Sequence, residues 1–354
     1  MEVVEGPLAG VRVLELASVL AGPLAGTALS ERGATVTKVE RPPDGDVTRS
    51  WRSAGERTGA ESAYWMAANA GKTVVMQDLA TAEGRAWLEA ELDRTDVLLE
   101  NYKAADLARF GLEPEAVRRR WPQLVRVRLV GFPDAPERLA YDVVVQAETG
   151  FMAMNGPADR PPSRLPVALM DVLASHQMRT AALEGLLRRA TTGQGCISIV
   201  SLEASGLTAL ANMATEWLVN GAIPTRRGSE HPNIAPYGDL LPCRDGSIVL
   251  AVGSDRQFAG LCAVLGWPEG PTDPRFATNP ARVLHRTALN AALAARSAER
   301  TLADLGSALL AASVPAGRIR TLDDVFAPGS PGAALVRTDA TGRRVSTVAY
   351  RMES

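Results

Sequence analysis

The chain has 354 residues, of which 46% are hydrophobic and only 5% aromatic, so it can bury a sizeable core and is long enough for more than one domain. Its 38 basic and 40 acidic side chains are mixed along the sequence and leave a formal net charge of −2, which excludes a large positive field for nucleic acid or an anionic membrane. Three widely spaced cysteines, Cys196, Cys243 and Cys262, and only three histidines, His176, His231 and His285, argue against a disulfide framework and against a structural metal site.

The opening MEVVEGPLAG is acidic and has no cationic region followed by an apolar one. No later stretch supplies the roughly 18 uninterrupted apolar residues of a membrane span, so a cytoplasmic protein is expected. The alternating segment Val11 to Leu16 predicts a strand, and Ala21-Gly22-Pro23 then opens a small-residue helix to about Arg32, with proline just inside its start. A second strand follows over 34–40, which completes a strand, helix, strand unit with a parallel pairing. Further strands are predicted at 73–76, 96–100 and 125–129, with helices at 81–93, 104–109 and 113–120. The run Arg118-Arg119-Arg120 reads as the solvated face of the last of these.

A long apolar helix from about Val172 to Arg189, a turn at 192–195 and a strand at 196–200 come next. A helix over 203–219 leads into a loop from Gly221 to Gly238, rich in proline, glycine and charge. Beyond it, a strand at 247–252, helices near 255–265, 287–297 and 301–312, and a short strand near 317–321 suggest a different, smaller unit. The final segment from Ala334 could return to the first domain. The fold class expected is α/β: an open, doubly wound, Rossmann-like large domain over 1–200 with a C-terminal return at 325–354, a linker helix and loop over 201–235, and a smaller α+β domain over 236–324.

The turn after the first strand reads AGPLAG rather than GxGxxG, so the dinucleotide fingerprint is missing. No Gly-x-Ser-x-Gly elbow supports a serine hydrolase. His176 lies within an apolar helix, where a lone histidine is more often a packing residue, and His231 sits in the loop SEHPNIAPYG, bonding backbone or touching a ligand. The remaining nucleophile is a carboxylate. Asp171, in PVALMDVLASHQ, is flanked by apolar residues at the start of a helix, and spacing alone leaves a helix N-cap and a catalyst equally open.

Several segments, in this order, resemble the class III (CaiB/BaiF) CoA-transferases: PLAGVRVLELASVLAGPLAG, ATVTKVERPPDGDVTRSW, TDVLLENYKAADLARFGL and PVALMDVLASHQ. HPNIAPYGDLLPCRDGSIVLAVGSDRQF and DPRFATNPARVLHRTAL are similar to the family's second domain, so the likeness extends over nearly the whole chain. The resemblance implies that Asp171 attacks an acyl-CoA carbonyl to give a mixed anhydride, and that CoA returns through an aspartyl thioester to a new carboxylic acid. It places CoA contacts on Leu20 and Ala21, Arg41, Asn101, Tyr102 and Lys103, and Arg109, with Arg41 and Arg109 as phosphate partners. It implies no tightly bound cofactor and no metal, CoA thioester being the substrate, and an interlocked homodimer threaded near 190–235 and 315–334.

Departures from the family pattern qualify this. Leu20 stands where the formyl-CoA enzymes have glutamine, and their glycine flap is missing, so formyl transfer is not expected; the chain's close, STVAYRMES, is also shortened. The family's α-methylacyl-CoA racemases carry a His-Asp pair where this chain has Tyr141-Asp142, which disfavours an isomerase that needs a second acid or base. A non-catalytic CoA-binding homologue is the third reading. Met152, Met154, Ile223, Ile234 and Tyr237, in loops 150–165 and 221–238, suggest an apolar acyl pocket rather than one built for a dicarboxylate.

Overall fold

The computed structural model describes residues 6–56, 61–339 and 342–353, so the acidic opening at 1–5 lies outside the described residues. The chain divides into two compact units, one of 1–151, 164–222 and 332–354 and one of 152–163 and 223–331.

In the first unit β1 (Arg12–Leu16), α1 (Ala21–Ser30) and β2 (Thr35–Glu40) form the strand, helix, strand element. They are followed by α2 (Ala63–Asn69), which the sequence reading missed, then β3 (Thr73–Met76), α3 (Ala82–Leu92), β4 (Val97–Glu100), α4 (Ala104–Arg109), α5 (Pro114–Arg120) and β5 (Val125–Val130). Next come α6 (Asp142–Glu148), α7 (Phe151–Met154), α8 (Leu169–Thr192) and β6 (Cys196–Ser201). Among the described residues six strands pair in parallel in the order β3-β2-β1-β4-β5-β6. The chain reverses its direction of winding between β1 and β4, and the crevice outside the carboxyl ends of such strands is where ligands bind.

Alternation along the strands builds two cores. Val13, Val97, Leu99, Val125 and Val127 face α1 and α8, whereas Leu14, Leu16 and Leu98 face the layer holding Leu107, Leu112 and Val117. Each such fully buried side chain contributes about 1.5–3 kcal/mol. The helix α8 lies so close to the sheet that a Cβ at Gly185 would come within 2.3 Å of Val125 Cγ1 and 2.9 Å of Cys196 Sγ. Close approach, not helix propensity, explains glycine there.

The helix expected over 203–219 is two helices, α9 (Leu202–Ala209) and α10 (Ala211–Asn220), broken where Ala211 takes φ 42°. Gly206 of α9 packs against Met170 and Thr149, whereas α10 buries no residue within the chain. Both belong to the first unit, not to a connector over 201–235, because α9 is locked under α8 and α6. Residues 152–163 belong to the second unit, outside the large domain to which sequence had assigned them.

The second unit has an antiparallel sheet of β7 (Tyr237–Cys243), β8 (Gly246–Ala251) and β9 (Ala316–Arg318), with helices α11 (Asp255–Val264), α12 (Asn279–Leu284), α13 (Arg286–Ser297), α14 (Leu302–Ala311) and α15 (Leu322–Val325). Phe258, Trp267, Phe276, Leu289 and Leu305 form its core. Arg282 is buried among them and satisfied, donating to the carbonyls of Ala235 and Phe276 and to Asp255. The hairpin of β10 (Val336–Asp339) and β11 (Gly342–Val345) belongs to the first unit, where Arg344, Ser346 and Thr347 all bond to Glu31 just after α1.

Candidate active site

Leu20 precedes the first turn of α1 and Ala21 is its buried first residue, directly beyond the carboxyl end of β1. Asn101, Tyr102 and Lys103 follow β4, the neighbouring strand across the reversal, and Arg41 is exposed just after β2. The topology therefore brings these six sequence-predicted residues to one edge of the sheet. Arg109 closes α4, about 9 Å along the helix axis from Lys103, so it stands back from that edge.

The turn between β1 and α1 is unusual. Val19, β-branched, has φ 72°, a conformation that costs on the order of 1–3 kcal/mol. Its neighbours hold it there from three directions. Lys38 Nζ donates to the Ala17 carbonyl at 2.8 Å, Asp46 Oδ2 accepts from Val19 N–H at 3.2 Å, and the Asn101 carboxamide bonds both backbone groups of Ser18 at 3.1 Å. Asn101 thus staples the loop after β4 to the loop after β1, a role distinct from touching a ligand.

Beneath this turn lies a buried ionic cluster. Glu15 pairs with Lys38 at 3.2 Å and with Lys72 at 2.7 Å, and Lys38 also pairs with Asp46 at 3.2 Å. Burial works against the Lys38 charge, but Glu15, Asp46 and Glu40 outweigh it and raise the pKa above the ordinary lysine value. For Lys72 burial wins over Glu15 and brings the pKa down to about 8.

Asp171 is the third residue of α8, not its N-cap; the cap position is Ala168, which offers no side-chain bond. The helix end is instead capped from α6: Asp142 Oδ1 accepts from Met170 N–H at 2.7 Å. The other Asp142 oxygen takes a bond from Gln146 Nε2 at 2.5 Å, and Gln146 Oε1 accepts from Leu165 N–H at 2.8 Å. Asp142 and Gln146, one turn apart on α6, therefore fix both ends of the segment 165–170 that delivers Asp171.

The carboxyl of Asp171 has no hydrogen bond or ion pair among the described residues, in contrast to the buried acids Glu15, Glu40, Asp46 and Glu100. Burial, reinforced by the Asp142 charge, pushes its pKa up to about 7. Tyr64 on α2 belongs to the same neighbourhood: burial first, then the charges of Asp171, Asp142 and Asp46, raise its phenol to about 12, so it stays a hydrogen-bond donor at neutral pH. Sequence reasoning missed Tyr64 because the segment AESAYWM carries no chemical motif, only an aromatic pair next to the Ser62 cap of α2.

The two histidines weighed from sequence stand elsewhere. His176 is exposed on α8 rather than packed in a core, because the apolar stripe there runs through Met170, Ala174 and Met178. His231 is in the second unit, its Nδ1 accepting from Asn233 N–H at 3.1 Å and its ring edge-on to Tyr237 at 5.2 Å. Arg118, Arg119 and Arg120 are exposed, with Arg120 paired to Glu89 at 2.8 Å. Among the described residues no cluster of histidine, cysteine and carboxylate could hold a metal, and no helix is long and apolar enough to cross a membrane.

A parallel sheet with its winding reversal at β1 and β4, a pinned turn over the crevice and a half-buried, unpaired carboxylate define an α/β enzyme. The model of CoA-transferase family III matches residues 8–343, and the chain belongs to that family. It is similar to the succinate–glutarate CoA-transferase of Agrobacterium fabrum, with 36% identity over 94% of this chain and 85% of the relative. It is 33% identical to the acetyl-CoA:oxalate CoA-transferase of Acetobacter aceti, over 93% of this chain and 84% of that one. A CaiB/BaiF family crystal structure from Brucella suis superposes with a TM-score of 0.86 at 37% identity, covering 98% of this chain and 93% of the other. The chain is accordingly a class III acyl-CoA:carboxylate CoA-transferase.

Proposed function

We propose that the enzyme moves CoA from a thioester donor to a short dicarboxylic acid, with Asp171 as the covalent carrier. The observation that carries this reading is the unpaired, half-buried carboxyl of Asp171 on a helix end held by Asp142. An Asp171 oxygen attacks the thioester carbonyl, the C–S bond breaks, and the CoA thiolate leaves a mixed anhydride. The thiolate then attacks the aspartyl carbonyl, releasing the donor acid and forming the aspartyl-CoA thioester. The acceptor carboxylate repeats these steps in reverse and departs as the new acyl-CoA.

One Asp142 oxygen caps α8 and the other accepts from Gln146 on its own helix, so Asp142 is hydrogen-bonded at both oxygens, which favours transfer over isomerisation. The acceptor class follows the relatives, whose names cite succinate, glutarate and oxalate, in place of the purely apolar pocket read from Met152, Met154, Ile223, Ile234 and Tyr237. Of these, Ile223 is 77% exposed and Tyr237 38%, which is poor support for an apolar pocket. The test is intact-mass analysis after mixing with succinyl-CoA, then hydroxylamine or borohydride trapping and peptide mapping. An adduct on Asp171 is expected; CoA binding with no adduct from any donor, and deuterium uptake at the acyl α-carbon, would overturn the reading in favour of an isomerase.

Because the nucleophile is the ionised form, kcat/KM should rise with pH through about 7 and level off above it. Asp142→Asn removes a neighbouring negative charge and should move that midpoint down, though not to an ordinary aspartate value, since burial is the larger cause. An unchanged midpoint would separate Asp142 from the site.

The enzyme is further proposed to be an interlocked, cytoplasmic homodimer without a tightly bound cofactor. Leu187 on α8, Ile199 on β6 and Trp217, Leu218 and Val219 on α10 are all exposed, an apolar surface a second copy would cover. The three free cysteines suit a reducing compartment. Sedimentation should give a dimer that persists on dilution, and a monomer at every concentration would remove the proposal.

A further inference from the structure

On β5, Arg126 and Arg128 share one face, because side chains two residues apart on a strand point the same way. Both reach Glu100, the buried carboxylate that closes β4. Arg126 takes it fully: Nη2 and Nε donate to Glu100 Oε1 at 2.8 and 3.2 Å, and Nη1 donates to the Leu112 carbonyl at 2.7 Å. One arginine is enough to balance one carboxylate.

Arg128 therefore brings a second positive charge to a single carboxylate, which it shares with the better-placed Arg126. Its Nε is 3.6 Å from the same Glu100 oxygen and is buried without a hydrogen-bond partner, and its Nη2 has only a long bond of 3.4 Å to the Tyr102 carbonyl. Its side chain is 20% exposed where those of Arg126 and Glu100 are fully covered. It stands near the carboxyl end of β5, against the backbone of the loop that Asn101 staples to the β1 turn, and so at the rim of the crevice. A half-buried guanidinium that shares its one carboxylate, at 3.6 Å, with a second arginine is under-compensated, and an incoming anion would supply the missing charge.

We propose that Arg128 binds a phosphate group of coenzyme A. This rests on the transferase reading above. The planar fork of donors suits a phosphate oxygen pair, which either the 3′-phosphate or the pyrophosphate could supply. Arg128 joins Arg41 and Lys103 as positive charge at this rim, and it is the least exposed of the three.

The experiment is calorimetric titration of the wild-type enzyme, Arg128→Gln and Arg128→Lys with CoA, dephospho-CoA and pantetheine, alongside thermal unfolding. Arg128→Gln should weaken CoA about tenfold or more and leave pantetheine unchanged. Arg128→Lys, which keeps the charge and guards against loss of the fold, should show a smaller loss. If the loss vanishes with dephospho-CoA, the 3′-phosphate is the partner; if it persists there and vanishes only with pantetheine, the pyrophosphate is. Wild-type affinity in both variants, or equal weakening of CoA and pantetheine, would overturn the assignment and leave Arg128 a brace for the Tyr102 loop. Failure of the wild-type enzyme to bind CoA at all would instead remove the transferase reading itself.

Discussion

Asp171→Asn is expected to reduce turnover by about 10⁴-fold or more, because removing a covalent nucleophile takes away the whole chemical route, while CoA affinity stays close to that of the wild type. No covalent adduct should survive trapping. The same substitution has a second, opposite effect on stability. The folded pKa of about 7 lies above the ordinary aspartate value, so the folded protein holds this proton more tightly than the unfolded chain. The stabilisation is fully present below pH 3.8 or so, and is lost progressively as pH rises to about 7. Asparagine has no charge to desolvate. At pH 8 the variant should therefore be more stable than the wild type by on the order of 2–3 kcal/mol, with the gap closing toward pH 4. Urea titrations of both proteins across this range measure it, and parallel curves would show that Asp171 is not an uncompensated buried acid.

Glu15→Gln is expected to destabilise the first unit by about 3–5 kcal/mol, since it strips the shared counter-charge from two buried lysines. Lys72 should respond first, because burial has already lowered its pKa to about 8 and Glu15 is the main influence opposing that. The surroundings allow little rearrangement: a Cβ at Gly26 would sit 1.9 Å from Glu15 Oε2, so α1 is pressed against this carboxylate. Lys38 also carries the Ala17 carbonyl, and through Asp46 the Val19 amide, so the loss should reach the turn that faces the crevice. Combining Glu15→Gln with Lys72→Met should recover part of the stability, because it removes one orphaned charge. Equilibrium denaturation of the single and double variants checks this, and additive losses would argue that the pair is not coupled.

The sheet was legible because its strands are short apolar runs separated by helices with recognisable ends, such as the Thr81 cap of α3 and the left-handed Gly193 after α8. The helices α2 and α6 were not, since neither segment carries a periodicity that stands out. The break at Ala211 was hidden as well: neither glycine nor proline marks it, and it arises from what α9 must pack against. The boundary of the first unit moved for the same reason, with α9 and α10 held to it by contacts that composition does not record.

By itself the sequence determined the alternating α/β order, the absence of a dinucleotide fingerprint and the singular position of Asp171, because these depend on local periodicity and on residue type. Only the tertiary structure decided that Asp171 is a half-buried acid inside the first turn of α8, near Tyr64, on a helix that Asp142 caps from α6, and that Val19 is held in a strained turn by Lys38, Asp46 and Asn101. It also decided that Arg126 and Arg128 meet on the single carboxylate of Glu100, with Arg126 making the short bonds. Charge compensation and desolvation depend on which side chains meet across dozens of residues, and no spacing along the chain encodes that distance.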